Sequence, residues 1–183
     1  TDWSSDQVGN LWCKFRDKEV IPESVGGSGK AETKHHPIPS VDPVACTDQF
    51  GESGVWYQRL PHFKLEFTPS VGEEIQTEFF VDRRDAAAAL EEIMKLSEEI
   101  NPLLWITELR TIAADQLWMS PHYQRDSIGI HFTWKKVDAV YEMVKVVEAT
   151  LAPFGYRPHL GKVFSASPDF FKSVMPKFED FKK

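Results

Sequence analysis

Two short stretches of this sequence carry polar side chains at a spacing that suits chemistry. Glu108 and Arg110 lie two residues apart in the first stretch. His131 and Thr133 lie two residues apart in the second. Because a β-strand repeats every two residues, each pair would project from one side of a sheet. If the two strands are neighbours, the imidazole, carboxylate, guanidinium and hydroxyl form one candidate site for proton transfer and for binding polar groups.

Alternating apolar and polar residues predict a β-strand in each stretch, at 104–112 and at 127–134. On the second strand, the face opposite His131 is apolar and consists of Ile128, Ile130, Phe132 and Trp134. On the first strand, the face of the charged pair also carries Leu104, Ile106 and Ile112. Either polar pair alone is most simply an exposed pair, and an exposed ion pair is worth only about 0–1 kcal/mol. The second pair and the hydrophobic neighbours favour a covered polar cluster instead.

The segments around these strands predict how they are held. The predicted segments are a strand at 74–81, a helix at 83–100 with Asp82 as its N-cap, a helix at 137–151 and a strand at 157–164. This order predicts an α+β fold, the ferredoxin-like split βαβ plan, in which an antiparallel sheet carries both helices on one face. The polar cluster would then occupy the open face, and Lys162 of the last strand is a candidate to join it.

The patterns are weaker outside this core. They predict short strands at 8–16 and 62–67, a long covering arm at 17–61 that is rich in Gly, Pro and Ser, and an amphipathic helix at 169–181. A Gly-rich run ending at Lys30 resembles part of a phosphate-binding loop, but Ser24 and Ala31 stand where that loop needs Gly and Ser or Thr. His35 and His36 are adjacent and lack the spacing of a zinc site, so we predict loops here and no metal.

Composition narrows the class of protein. The chain has 183 residues, 42% hydrophobic and 27% charged, which suits a globular protein with a real core. A net charge of −7 argues against nucleic acid or an anionic membrane as partner. Two isolated cysteines predict a reduced, cytoplasmic setting. The chain begins with Thr rather than Met, which suggests processing or a piece of a longer protein.

Several motifs resemble one enzyme family, in the order in which that family has them. They are Thr107-Glu108-Leu109-Arg110-Thr111, Asp115-Gln116-Leu117-Trp118-Met119-Ser120-Pro121, His131-Phe132-Thr133-Trp134, Pro158-His159-Leu160-Gly161-Lys162, Leu60-Pro61-His62-Phe63, Phe67-Thr68-Pro69-Ser70 and Leu151-Ala152-Pro153-Phe154-Gly155. This set resembles the C-terminal half of the alditol oxidases, which include the xylitol and sorbitol oxidases and belong to the vanillyl-alcohol-oxidase-type flavoproteins. The resemblance covers nearly the whole chain and is weakest in the Gly-rich arm.

The resemblance implies an FAD-dependent enzyme that oxidises the terminal hydroxyl of a polyol to an aldehyde, with O2 as acceptor and H2O2 as product. Residues 1–166 would be the substrate-binding, or cap, domain, and 167–183 would be a helix leading back to the FAD-binding domain. That domain, which would hold most of the FAD, should precede Thr1. We therefore expect these 183 residues neither to hold FAD nor to turn over by themselves.

The resemblance also implies roles for the polar residues. Glu108, Arg110 and Thr133 would bind substrate hydroxyls. His131, tuned by Lys162, would accept the hydroxyl proton while hydride leaves the adjacent carbon for the flavin. The chemistry supports these residue types, because a positioned base contributes about 10²–10⁴-fold to such a step and His is the commonest base near neutral pH.

Two other functions stay open at this point. One is a stand-alone ferredoxin-like module that binds a small polar ligand. The other is the cap of a related oxidase that acts on another alcohol or on a sugar lactone, as a D-arabinono-1,4-lactone oxidase does. An FAD domain encoded upstream in the same frame would support an oxidase over the binding module, and substrate profiling would separate polyol from lactone.

Overall fold

The computed structural model of the chain describes residues 3, 10–16, 19–20, 22–37, 41–67 and 73–183. It divides into two compact units, one of residues 6–71 and one of residues 1–5 with 72–183. The elements in chain order are α1 (Trp56–Arg59), β1 (Glu74–Asp82), α2 (Ala86–Met94), α3 (Ser97–Ile100), β2 (Leu104–Ile112), β3 (Ser127–Lys135), α4 (Ala139–Leu151), β4 (Arg157–Pro158), α5 (Pro168–Val174) and α6 (Phe178–Phe181). None of the helices in the described part of the chain has both the length and the apolar character that a membrane crossing requires.

The four strands of the larger unit form one antiparallel sheet in the order β2-β3-β1-β4. β1 pairs with β3 over its whole length, from Glu74 opposite Lys135 to Asp82 opposite Ser127. β2 pairs with the other edge of β3, and β4 with the other edge of β1. This is the strand order of a split βαβ sheet, so the predicted α+β, ferredoxin-like class is confirmed.

The helices α2 and α4 pack on one face of this sheet. The core residues from β1 and β3 are Ile75, Phe79, Val81, Ile128, Ile130, Phe132 and Trp134, and those from the two helices are Ala89, Ile93, Val140, Val144, Val147 and Leu151. A buried indole needs an acceptor for its N–H, and Trp134 finds one in the hydroxyl of Thr77 at 2.9 Å. Trp3 stacks on Phe132 and donates to Thr107 Oγ1 at 2.8 Å.

The predicted helix over 83–100 is broken. Arg83–Asp85 is a 3₁₀ turn, and Asp82 caps that turn by accepting from the Arg84 N–H at 2.9 Å. α2 ends at Met94 because the Leu96 N–H bonds to Ile93 O, three residues back, at 3.0 Å. Such a bond tightens the chain and ends the regular helical pattern. Neither Gly nor Pro marks this break, so the residue pattern carried no signal for it.

Three other predicted elements are shorter or differently oriented. The helix over 169–181 is divided into α5 and α6, and Pro176, which has no N–H to donate, lies between them. The strand at 157–164 ends at Pro158, where the chain turns away. A bulge between Leu104 and Ile106 places these two residues on opposite faces, so the prediction that Leu104 shares the face of Glu108 is wrong.

In the unit of residues 6–71, the described residues are mainly irregular. Besides α1, this unit has a 3₁₀ turn at Pro43–Ala45 whose N-cap is Asp42. The predicted strands are wrong for residues 10–16 and for 62–67, where only Phe63 forms a bridge, to Cys46. A strand needs an extended partner, and residue alternation alone does not supply one. Parts of the predicted strand and arm, residues 8, 9, 17, 18, 21 and 38–40, lie outside the described residues, as do residues 68–70 of one family motif.

Candidate active site

The strand register gathers the predicted polar residues on the sheet face opposite the helices. Glu108 lies opposite His131, which in turn lies opposite Glu78 of β1. Directly opposed residues project from the same face, so the three side chains form one row across three strands. The row before it contains Ile106, Thr133 and Gln76, and the row after it contains Arg110, Gly129 and Phe80. All four residues predicted from the two strands therefore share this face.

Glu78 is a member of this cluster that the residue pattern did not identify. It is 6% exposed, yet its carboxylate binds two cations. Arg110 Nη1 donates to Oε1 at 2.8 Å, and Lys162 Nζ donates to Oε2 at 2.8 Å. The signal was present, because in β1 the residues Gln76 and Glu78 alternate with the core residues and must face away from the helices.

Lys162 reaches the cluster because the chain after β4 does not continue as a regular strand. The His159 N–H bonds to Glu78 O at 2.9 Å, and the next bond to β1 runs from the Val163 N–H to Gln76 O at 3.0 Å. A regular antiparallel ladder would make this second bond from residue 161, so the turn adds two residues. The sequence makes Lys162 a candidate member of the cluster, and this turn brings it to Glu78.

His131 lies at the centre of the row and is 3% exposed. Its Nε2 is 3.4 Å from Gln76 Oε1, within a weak hydrogen bond. Its Nδ1 is buried without a hydrogen-bond partner among the described residues, and Glu108 Oε1 is 3.9 Å away, too far for a hydrogen bond. If Nε2 carries the proton, Nδ1 presents an unused lone pair toward the Glu108 side of the cluster.

Burial and charge set the protonation states. Burial, reinforced by the positive charge of Lys162, lowers the pKa of His131 to about 4, although Glu78 opposes the shift. Burial alone would raise the pKa of Glu78, but the hydrogen bond and charge of Lys162, with Arg110 and His131, hold that pKa below its usual value. Near neutral pH the cluster therefore contains a neutral imidazole beside an ionised carboxylate.

The sequence predicts that the polar cluster is shielded from solvent, and only part of it is. The side chains of Glu108 and Arg110 are 48% and 41% exposed, so the expectation that this face is covered is wrong for β2. The centre is closed instead by polar neighbours, since the Lys162 side chain is only 18% exposed. A small cavity of about 220 Å³ adjoins the third row and is lined by Phe80, Pro121, His122, His159, Leu160 and Gly161.

Residues 70–183 match the family model described as D-arabinono-1,4-lactone oxidase. The chain belongs to this family. An alditol oxidase of Streptomyces sp. strain IKD472 is 38% identical over 183 residues, a match that covers 100% of this chain and 44% of the relative. The chain thus spans less than half the length of that relative. The predicted resemblance to the alditol oxidases is confirmed, and membership of the family supports an oxidoreductase.

For a member of this oxidase family, the donors and acceptors of the cluster suit a hydroxylated substrate. Two carboxylates accept, two cations donate, and Thr133 can do both. The imidazole adds a base that is uncharged near neutral pH. Acid–base chemistry and hydroxyl binding are therefore within reach of these side chains, whereas the uptake of electrons is not. The predicted roles of Glu108, Arg110, His131, Thr133 and Lys162 stay predictions.

Proposed function

We propose that this chain forms the substrate-binding side of an FAD-dependent oxidase that converts the terminal hydroxyl of a polyol to an aldehyde and reduces O2 to H2O2. The observation that carries the proposal is Nδ1 of His131, which is buried, uncharged and without a hydrogen-bond partner in the described chain. Leaving a buried polar atom unsatisfied costs about 1–3 kcal/mol. A substrate hydroxyl is a donor that would satisfy this nitrogen and would be positioned to lose its proton there.

The other side chains of the cluster complete a polyol site in this proposal. Nδ1 of His131 accepts the hydroxyl proton, and the charge of Lys162 stabilises the oxygen as that proton leaves. Arg110, Glu108 and Thr133 bind further hydroxyls along the substrate. The arrangement supports this division, because Glu108 and Arg110 are half-exposed at the edge of the cluster and can exchange their contact with each other for contacts to a ligand.

FAD would supply the acceptor for the hydride that leaves the substrate carbon. The cluster fits such a partner in one respect: its side chains can bind and deprotonate an alcohol but cannot take up two electrons. We assign no described residue to holding FAD, and we propose that most of its contacts lie in an FAD-binding domain. Residues 1–166 are the proposed substrate-binding domain, residues 167–183 lead to the FAD-binding domain, and a cytoplasmic location stays a prediction.

A sugar lactone is the second candidate substrate. The description of the family model, D-arabinono-1,4-lactone oxidase, favours it. The same base and the same hydroxyl-binding groups would serve a lactone, so the cluster alone does not choose between the two substrates. Comparing xylitol, sorbitol and D-arabinono-1,4-lactone as substrates of the flavin-loaded enzyme would decide this.

The test is peroxide release by the FAD-loaded protein that contains these residues. We expect polyol-dependent H2O2, and we expect His131→Ala to lower kcat by about 10²–10⁴-fold while KM changes much less. His35→Ala, in a loop of the other unit, is the matched control and should leave both constants unchanged. Wild-type turnover in the His131→Ala variant would remove His131 as the base. An enzyme that releases peroxide with neither polyols nor the lactone would overturn the proposed function.

A further inference from the structure

Glu78 has no role in the chemistry proposed above, yet it binds two residues that do, Arg110 and Lys162. Its two carboxylate oxygens bind different cations, Arg110 at 2.8 Å and Lys162 at 2.8 Å. Arg110 comes from β2 and Lys162 from the turn after β4, on opposite sides of β1 in the sheet. One carboxylate therefore connects groups that the backbone brings to this face from two separate elements.

The three groups differ in how firmly the fold holds them. Glu78 is 6% exposed and lies on the long central ladder between β1 and β3. The side chains of Arg110 and Lys162 are 41% and 18% exposed, and both are long and flexible. A fixed anion that binds both cations through charge-assisted hydrogen bonds restricts where their charges can lie.

We propose that Glu78 is the positioning residue of this site, whose carboxylate holds Arg110 and Lys162 in place on either side of His131. This inference rests on the proposed function for the meaning of the site, but not on the identity of the substrate. Without the carboxylate, the two cations would repel each other and each could turn toward water. The substrate would then meet a site whose positive charges are present but not oriented.

Gly129 supplies independent support for a fixed carboxylate. A Cβ at this position would lie 3.2 Å from Glu78 Oε1 and 3.0 Å from Cε1 of the Phe80 ring. Any side chain here would therefore press on the carboxylate or on the ring beside it. Glycine leaves room for Glu78 on the face where a larger residue would displace it.

The first test needs no activity. In the 183-residue chain, we expect Glu78→Gln to raise the rate of reductive methylation of Lys162, measured by mass spectrometry, by about tenfold, which corresponds to losing one charge-assisted hydrogen bond. Glu148→Gln is the matched control, because Glu148 is also a buried glutamate, at 5% exposed, but binds Ser165 instead of a cation. An unchanged rate in Glu78→Gln, with the control also unchanged, would overturn the inference.

The second test uses the FAD-loaded enzyme. We expect Glu78→Gln to lower kcat by up to about 100-fold through misplacement of the cations, with a smaller change in KM. Glu78→Asp keeps the charge on a shorter side chain and should recover part of the loss. Gly129→Ala keeps the carboxylate but crowds it, and should fall between the wild type and Glu78→Gln. Equal activity of Glu78→Gln and wild type, or no recovery in Glu78→Asp, would contradict the positioning role.

The two tests separate this inference from the proposed function. If the wild-type enzyme oxidises neither polyol nor lactone while Glu78→Gln still frees Lys162, the function is wrong and the positioning of the cations stands. If the enzyme is active and Glu78→Gln changes neither the methylation rate nor kcat, the function stands and Glu78 is only a buried ion pair. A Glu78→Gln chain that fails to fold shifts the test to Gly129→Ala, which retains the charge.

Discussion

Two glutamates of the larger unit are buried to the same degree but are satisfied in opposite ways. Glu78 is 6% exposed and binds two cations on the open face of the sheet. Glu148 is 5% exposed on α4 and accepts from the backbone N–H of Ser165 at 2.8 Å and from the Ser165 hydroxyl. Burial, together with the charge and hydrogen bond of Glu148, raises the pKa of the Tyr156 phenol. The partners of Glu148 are thus neutral groups, whereas those of Glu78 are charged and come from long side chains.

This difference separates a structural carboxylate from one that belongs to a site. Glu148 joins α4 to the segment that precedes α5 through the backbone N–H and hydroxyl of one residue, Ser165. The cations at Glu78 can exchange one contact for another, because their side chains are partly exposed. Burial alone therefore does not mark a functional residue. Whether the partner side chains are charged, and long enough to reach a ligand, marks it better.

The largest effect that tests this comparison is on stability. In the 183-residue chain, Glu148→Ala should lower the free energy of unfolding by about 4 kcal/mol, because it leaves a cavity in place of a buried side chain and leaves the buried Tyr156 phenol without its acceptor. Glu78→Ala should cost only about 2 kcal/mol, since Arg110 and Lys162 can turn to water. Urea unfolding followed by tryptophan fluorescence measures both values.

Glu142→Ala on the exposed face of α4 is the control for Glu148→Ala. Its partner Lys145 and the Glu142 side chain are 56% and 75% exposed, so the change should stay within about 0.5 kcal/mol. A larger loss in Glu78→Ala than in Glu148→Ala would reverse the distinction between the two glutamates.

The pH dependence of stability gives a slightly smaller effect that the polar cluster should show and that Glu148 should not. The pKa of His131 is about 4 in the folded chain, whereas the unperturbed value, taken for the unfolded chain, is 6.5. Between pH 4 and pH 6.5, His131 is therefore protonated in the unfolded state and neutral in the folded state. This contribution to stability is complete above pH 6.5 and is lost as the pH falls to 4, by about 3 kcal/mol in total.

His131→Gln should flatten that part of the pH profile, measured by urea unfolding at each pH. Glu148→Gln should keep the wild-type slope, because Glu148 has no part in holding His131 uncharged. Burial also lowers the pKa of His122, which therefore adds its own pH dependence to the stability of every variant. For this reason the slope of each variant is compared with the slope of the wild type. Identical slopes in His131→Gln and the wild type would mean that His131 is solvated in solution.

The comparison also shows what residue patterns could and could not predict. Strict alternation predicted β2 and β3 and placed Glu108, Arg110, His131 and Thr133 on one face, because the period of a strand is insensitive to the rest of the fold. Glu78 lies on a correctly predicted strand but was not recognised, since a glutamate between apolar residues is typical of any half-exposed strand. Its importance depends on which two cations arrive beside it, and that is a property of the assembled sheet.

The position of Lys162 was predictable only in part. Its sequence placed it in a final strand, whereas contact with Glu78 requires the two extra residues of the turn after His159. The bulge at Leu104 was likewise hidden, because the pairing that shifts there involves Trp134 and Thr133 on another strand. Local patterns predict the elements, and these irregularities depend on contacts between residues distant in sequence.

The smallest predicted effect concerns Glu108, the carboxylate at the edge of the cluster. Its ion pair with Arg110 at 2.5 Å joins two half-exposed side chains, and such pairs contribute about 0–1 kcal/mol. Glu108→Gln should therefore leave the free energy of unfolding of the 183-residue chain nearly unchanged, well below the loss in Glu78→Ala, and added salt should not alter that ranking. If Glu108→Gln destabilises the chain as much as Glu78→Ala does, the edge of the cluster supports the fold, and Glu108 is not free to exchange its contact with Arg110 for a substrate hydroxyl.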